Sequence, residues 1–264
     1  MNEFHTSVLL RESVAGLNVK DDGIYVDATF GGGGHSKEII KLLSNGKLIA
    51  FDQDQETLKN KIEKNNKFIM INKNFRYLKK YLKAINISNI DGLIADLGVS
   101  EYHFTNNNRG FSLQYDAPID MRMDKTLLKD GAFIVNNYNR KELDRIFKNH
   151  ADFKNPNRIT TSIMKCREDK VIKTISDLKN IFNDGFWRKH QNKFFARIFQ
   201  AIRIEVNDEI NSLKELLTQS LELLNPSGRL VVISYHSIED KIVKSFMKFG
   251  NFLNRQDKDF FGNQ

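Results

Sequence analysis

Four consecutive glycines, Gly31 to Gly34, stand between a short apolar run and a helix-like stretch, and they constrain the fold more than any other feature of the chain. The run before them, Gly23-Ile24-Tyr25-Val26-Asp27-Ala28, reads as a strand, and Ser36 to Leu43 reads as the following helix. A strand that ends in glycines and opens a helix lets the backbone approach a ligand closely, because side chains would otherwise fill that space. A plain tight turn has the same composition. Asp52 raises the cluster above that: it ends a second strand, Lys47-Leu48-Ile49-Ala50-Phe51-Asp52, where a carboxylate can accept both ribose hydroxyls of a nucleoside.

The alternation continues with a third strand at Phe68 to Ile71 and a fourth at Asp91 to Asp96, the pattern of parallel strands joined by crossover helices. The fold expected is α/β, a Rossmann-like doubly wound sheet. After Leu97 the pattern changes. A loop rich in Asn, Gly, Asp and Pro runs from Thr105 to Asp124 and leads into a basic, helical segment ending near Gln200. One long amphipathic helix is expected from about Phe199 to Leu224, then a turn at Asn225-Pro226-Ser227-Gly228, a fifth strand at Arg229 to Ser234, and a helix from Ile238 to Phe249. The organisation expected is a discontinuous α/β domain over residues 1–104 and 199–250, an inserted, mostly helical substrate-recognition domain over 105–198, and a tail over 251–264.

Two cofactor classes suit a glycine turn followed by an acid. The dinucleotide fingerprint G-x-G-x-x-G started at Gly31 needs glycine where Ser36 stands. Nicotinamide dinucleotides also place a pyrophosphate at the helix N-terminus, whereas S-adenosylmethionine has no phosphate and needs acidic anchors for its amine and ribose. Asp27 and Asp52 fit that second need, which favours S-adenosylmethionine while leaving a dinucleotide-dependent oxidoreductase as the rival.

Charge points to the substrate. The 264 residues carry 41 Lys and Arg against 33 Asp and Glu, a net +8, and the stretch from Asn139 to Gln200 holds 15 basic and 7 acidic residues. The whole excess therefore sits in the inserted segment, where it would attract a polyanion such as RNA. A lysine- and asparagine-rich coding bias is the plainer explanation. No run approaches the roughly 18 apolar residues of a membrane span, and the N-terminus lacks a signal-peptide layout, so a cytoplasmic location is expected. One cysteine, Cys166, leaves no internal disulfide, and six scattered histidines give no metal signature. Oligomeric state is left open, a homodimer included.

Ligands of such sheets gather at the carboxyl ends of the strands, which puts Asp96 at the transferred group. If the acceptor is an exocyclic amine of a base, its lone pair is delocalised into the ring, and a positioned carboxylate must localise it and take the proton. Asp96 is the first candidate and Asp120 the second. Phe104, Phe111 and Tyr115, interleaved with Arg109, read either as stacking partners for an unstacked base or as core residues. His236, after the fifth strand, reads either as a phosphate or base contact or as an internal hydrogen bonder.

Several ordered motifs carry a resemblance. They are His5-Thr6-Ser7-Val8-Leu9-Leu10, Asp27 to Ser36, Asp96-Leu97-Gly98-Val99-Ser100, Arg109-Gly110-Phe111-Ser112, Pro118 to Asp124, Phe199 to Asn207, and Ser234 to Asp240. In these the chain resembles the bacterial small-subunit ribosomal RNA methyltransferase H family, MraW-like enzymes that methylate N4 of a cytosine in the 16S rRNA decoding centre. The resemblance runs from His5 to about Lys248. It implies a class I methyltransferase domain with a helical insertion, S-adenosylmethionine as cofactor, 16S rRNA in the small subunit as partner, and cofactor contacts at Gly33, Gly34, His35, Asp52, Phe75 and Asp96. A further cofactor contact, a glutamine in the family, falls on His103. For RNA it favours Arg109, Phe111, Arg203 and His236. Two departures stand out: His150-Ala151-Asp152 replaces a Tyr-Gly-Glu motif, and no final strand is readable beyond Lys248. They motivate a third reading, a non-catalytic RNA-binding or assembly factor.

Overall fold

The structure, a computed structural model, describes residues 7–62, 65–100, 108–182 and 191–253. They fall into two compact units, one from Met1–Gly98 with Ile210–Gln264 and the other Val99–Glu209.

The first unit holds one parallel sheet of five strands: β1 (Ile24–Asp27), β2 (Lys47–Phe51), β3 (Phe68–Ile71), β4 (Ile90–Asp96) and β5 (Leu224–Ile233), in the order β3-β2-β1-β4-β5. Leu48, Ile49, Ala50 and Phe51 are all fully buried, the signature of a parallel strand covered on both faces. The connecting helices are α1 (Leu10–Leu17), α2 (Gly34–Leu42) and α3 (Leu78–Ala84). The chain steps outward from β1 to β3 and then returns to β4, so the strand order reverses between β1 and β4. At that switch point Asp27 of β1 pairs in register with Ala50 of β2 and Ile94 of β4.

The residues read as a turn, Asn225 to Gly228, lie instead inside β5. Ile90 pairs with Leu224 and Gly92 with Arg229, so two steps on β4 match five on β5, and the surplus bulges out with Ser227 at φ 68°. Because β5 is an edge strand, Pro226 costs the sheet no ladder hydrogen bond on its open side.

The second unit is built from α4 (Gly131–Asn137), α5 (Arg140–Ala151), α6 (Asn157–Asp169), α7 (Ile175–Asn180) and α8 (Gln191–Asn207). Capping boxes start α5, through Asn139 and Glu142, and α7, through Thr174 and Asp177. The long helix expected from Phe199 to Leu224 is two helices, α8 and α9 (Glu209–Leu223), broken where Asp208 takes φ 48°. A left-handed residue ends a helix, and Asp tolerates that conformation better than most. Phe199, Ala201, Ile202 and Val206 are buried in the core of the second unit, which is why the unit extends to Glu209 and not only to the 198 expected. The chain closes the first unit with α10 (Ser237–Phe249). Among the described residues no helix is long and apolar enough to cross a membrane.

Candidate functional site

The glycine turn is held open by hydrogen bonds from both neighbouring strands. The amide of Ala28 donates to Ile94 O, and that of Phe30 to Phe51 O. Gly33 has φ 75°, which a side chain rarely adopts, and a Cβ there would meet the Phe30 ring at 2.8 Å. At Gly32 a Cβ would meet nothing within 4 Å, so the backbone at the crest of the turn borders open space. Ser36, where a dinucleotide site would carry its third glycine, is buried and donates its hydroxyl to Asp27 Oδ2 at 2.7 Å. That serine completes an acid's hydrogen bonding, a requirement the dinucleotide reading does not have.

Three carboxylates line the carboxyl edge of the sheet beside this turn. Asp27 is buried and also accepts from the Thr29 amide at 3.1 Å; burial pushes its carboxyl above the ordinary range despite the bonds from Ser36 and Thr29. Asp52 accepts from the amides of Gly31 at 2.8 Å and Asp54 at 2.8 Å. Burial still pushes it up to about 7. Neither is ion-paired with Lys or Arg among the described residues. Asp96 ends β4 with its side chain 22% exposed. Its Oδ1 accepts the Tyr235 hydroxyl at 2.8 Å, its amide donates to Thr29 Oγ at 2.6 Å, and its Oδ2 lies 4.0 Å from His35 Nδ1. His35 is buried, its Nε2 sharing a hydrogen bond with the Val8 carbonyl at 3.2 Å. Asp27, His35, Asp52 and Asp96 thus converge, and Gly33 and Gly34 form the start of α2 beside them. Phe75, in a short 3-10 turn after β3, is half-buried against the sheet core.

Buried acids that keep hydrogen-bond donors but lack a cation suit a ligand with hydroxyl and ammonium groups. S-adenosylmethionine carries both, and the open space at Gly32 gives it backbone access. The residues fit that cofactor. His103 and Phe104 lie outside the described residues.

Residues expected to touch RNA are engaged elsewhere. Arg109 is 2% exposed and donates to the carbonyls of Arg122 and Met123, with Phe111 buried beside it in the core. A guanidinium in that position satisfies loop carbonyls and cannot reach a phosphate. Tyr115, by contrast, is exposed. Asp120 is clamped by Arg122 through both oxygens, at 2.6 and 3.1 Å, which makes it a structural ion pair. Arg203 forms the same fork with Glu209, at 2.9 and 3.0 Å. His236 is the N-cap of α10, its Nδ1 accepting from the Glu239 amide. Its Nε2 lies 3.2 Å from Glu239 Oε1 but outside hydrogen-bond geometry.

Sequence reasoning passed over three contributors. Thr29 and Tyr235 bind Asp96, and Asn207 bridges Met121 O, Met123 N and Arg203 O in the second unit. The replaced motif has a new role as well. His150 Nε2 meets Glu205 at 3.1 Å, and the Ala151 carbonyl accepts from Arg197 at 2.8 Å.

The MraW methylase family model matches residues 2–254. The ribosomal RNA small subunit methyltransferase H of Christiangramia forsetii is 48% identical over 262 residues, covering 99% of this chain and 86% of that protein. The protein of the same name in Flavobacterium johnsoniae is 47% identical over 262 residues with the same coverage. That of Cytophaga hutchinsonii is 46% identical over 261 residues, 98% of this chain and 88% of the relative.

Proposed function

This chain belongs to the MraW methylase family, and on that premise we propose that it transfers a methyl group from S-adenosylmethionine to N4 of a cytosine in small-subunit 16S ribosomal RNA. The observation that carries the proposal is the pair of carboxylates, Asp27 buried and Asp52 half-buried, held without Lys or Arg partners among the described residues beside a glycine turn open at Gly32. S-adenosylmethionine supplies an electrophilic methyl group on a sulfonium. In this reading Asp52 accepts the ribose hydroxyls, Asp27 contributes negative charge towards the amine, and the amides of Gly33 and Gly34 border the cofactor. Phe75 offers a flat apolar face to the adenine.

Asp96 acts on the acceptor. As N4 bonds to that methyl carbon, the carbon–sulfur electron pair being left on sulfur, the Asp96 carboxylate would accept the one proton that N4 releases. Much of the rate comes from holding amine and methyl in line. Lys141, Lys148 and Lys165, exposed on α5 and α6, supply positive charge for the RNA backbone. A small-subunit substrate supports the reading that this activity is cytoplasmic.

The test is to incubate the protein with labelled S-adenosylmethionine and small subunits lacking the modification, then digest the RNA and look for N4-methylcytidine by mass spectrometry. Labelled N4-methylcytidine is the expected product. Measurable cofactor binding with no product would overturn the reading in favour of a non-catalytic RNA-binding factor.

A further inference from the structure

We propose that Tyr235 is a positioning residue for the methyl transfer, its hydroxyl holding the Asp96 carboxylate in one orientation at the end of β4; this rests on the reading of Asp96 as the group that receives the amine proton. Its hydroxyl donates to Asp96 Oδ1 at 2.8 Å, across the carboxyl ends of neighbouring strands β4 and β5. The Tyr235 side chain contributes little to the core: the residue is 56% exposed. Its ring passes the backbone of Gly98, where an added Cβ would lie 3.5 Å from Cδ2. Its amide donates to Glu239 Oε2 at 3.0 Å, and Glu239 is buried at the start of α10. The backbone is therefore fixed from one side while the hydroxyl fixes Asp96 from the other.

Partial desolvation of the hydroxyl end, and then the bond to Asp96, push the phenol above its ordinary pKa, so it stays protonated and can only donate towards the carboxylate. A carboxylate on a single χ2 axis otherwise rotates through a broad range. Asp96 has to present a lone pair to the N4 hydrogen while N4 aligns with the methyl carbon. Among the described residues, groups facing Asp96 include His35 from α2, Asp27 from β1 and Tyr235 from the segment after β5, with Glu239 of α10 acting on Tyr235. His35, Asp27 and Glu239 are common to wild type and a Tyr235 variant, so a difference between their pH profiles reports the lost hydroxyl.

The experiment compares Tyr235→Phe, Asp96→Asn and the double variant in the full chain, with unmodified small subunits as substrate. For Tyr235→Phe we expect kcat to fall roughly 10- to 100-fold, with KM for the subunit, cofactor affinity and Tm unchanged. The acid limb of the kcat profile should move to higher pH, because a carboxylate that loses a donor protonates more readily. Asp96→Asn should leave only a small residual turnover, and adding Tyr235→Phe to it should change nothing more. Wild-type kcat and an unshifted profile in Tyr235→Phe, with Asp96→Asn impaired, would overturn the positioning role alone. Full turnover by Asp96→Asn would overturn the reading of Asp96 itself. A further loss in the double variant would show Tyr235 acting other than through Asp96 and would also overturn the inference.

Discussion

The two units treat buried charge in opposite ways. In the helical unit the carboxylates drawn away from water are matched by counter-charges among the described residues: Glu205 takes Arg145, His150 and the Tyr138 hydroxyl, Glu209 takes Arg203, and Asp120 takes Arg122. Its core is otherwise apolar, mostly aliphatic, with Phe182 packed edge-on against Phe194 and Phe195. In the α/β unit, Asp27 is buried and Asp52 half-buried, with hydrogen bonds from amides and a serine hydroxyl and no Lys or Arg partner among the described residues. A fold gains nothing from leaving a buried acid without a cation, so such acids mark where a ligand brings the missing groups. Paired charges hold a structure together.

The comparison breaks most visibly at Glu205. Its burial pushes the carboxyl up, but the hydrogen bonds from His150 and Arg145, the charge of Arg145 and the Tyr138 hydroxyl outweigh that and hold it at about 2. Removing it in Glu205→Leu strands three donors, and unfolding in urea should show a loss of about 3 kcal/mol. A carboxyl with a depressed folded-state pKa stabilises fully above its unfolded value, and that contribution disappears as pH falls from 4.5 towards about 2. The wild-type protein should lose this increment in that window, and Glu205→Leu should not.

Asp52→Asn is the counterpart in the α/β unit. Calorimetry should show S-adenosylmethionine binding weakened roughly 100-fold, the loss of two hydrogen bonds to a charged acceptor. The Tm without ligand should fall far less than in Glu205→Leu, since losing a poorly solvated charge offsets the one amide acceptor that Asn cannot replace. A fall in Tm as large as that of Glu205→Leu would erase the distinction between the units.

The raised pKa of Asp52 has the opposite sign of pH linkage. Its ionisation costs the ligand-free fold stability as pH rises from the ordinary 3.8 through about 7. Hydroxyl donors favour the ionised form, so cofactor affinity should rise roughly tenfold between about pH 6 and about pH 8, and the dependence should vanish in Asp52→Asn. The smallest effect concerns the surface. Lys141→Glu with Lys148→Glu should lower the salt slope of RNA binding by about two, roughly one per lost phosphate contact, in a filter-binding titration. An unchanged slope would mean that these lysines do not meet RNA.

What the sequence disclosed follows from the same physics. A parallel strand buried on both faces reads as a continuous apolar run, so Lys47 to Phe51 is visible without neighbours, and the acid at its end inherits a location from the fold class. Breaks were less legible. Asp208 ends α8 with neither Gly nor Pro, and Asn225-Pro226-Ser227-Gly228 has turn composition although it forms a bulge in an edge strand. Within the site, Asp27, Asp52 and Asp96 could be named, but Tyr235 could not, because its partnership with Asp96 exists only once β5 lies beside β4. Arg109 illustrates the reverse. A cation among aromatics has one composition whether it waits for RNA or satisfies loop carbonyls, and only burial separates the two.

The placement of β5 has a further consequence, for the growing chain on the ribosome. β4 is complete at Asp96, yet the strand that pairs with it begins at Leu224. At ~5–20 residues per second, the intervening 97–223 take on the order of ten seconds to synthesise. Throughout that interval the edge of Leu93, Ile94 and Ala95 awaits its partner, the kind of open hydrophobic edge that recruits other nascent strands. For this protein, crowded polysomes make the moment before β5 emerges the one most exposed to misassembly.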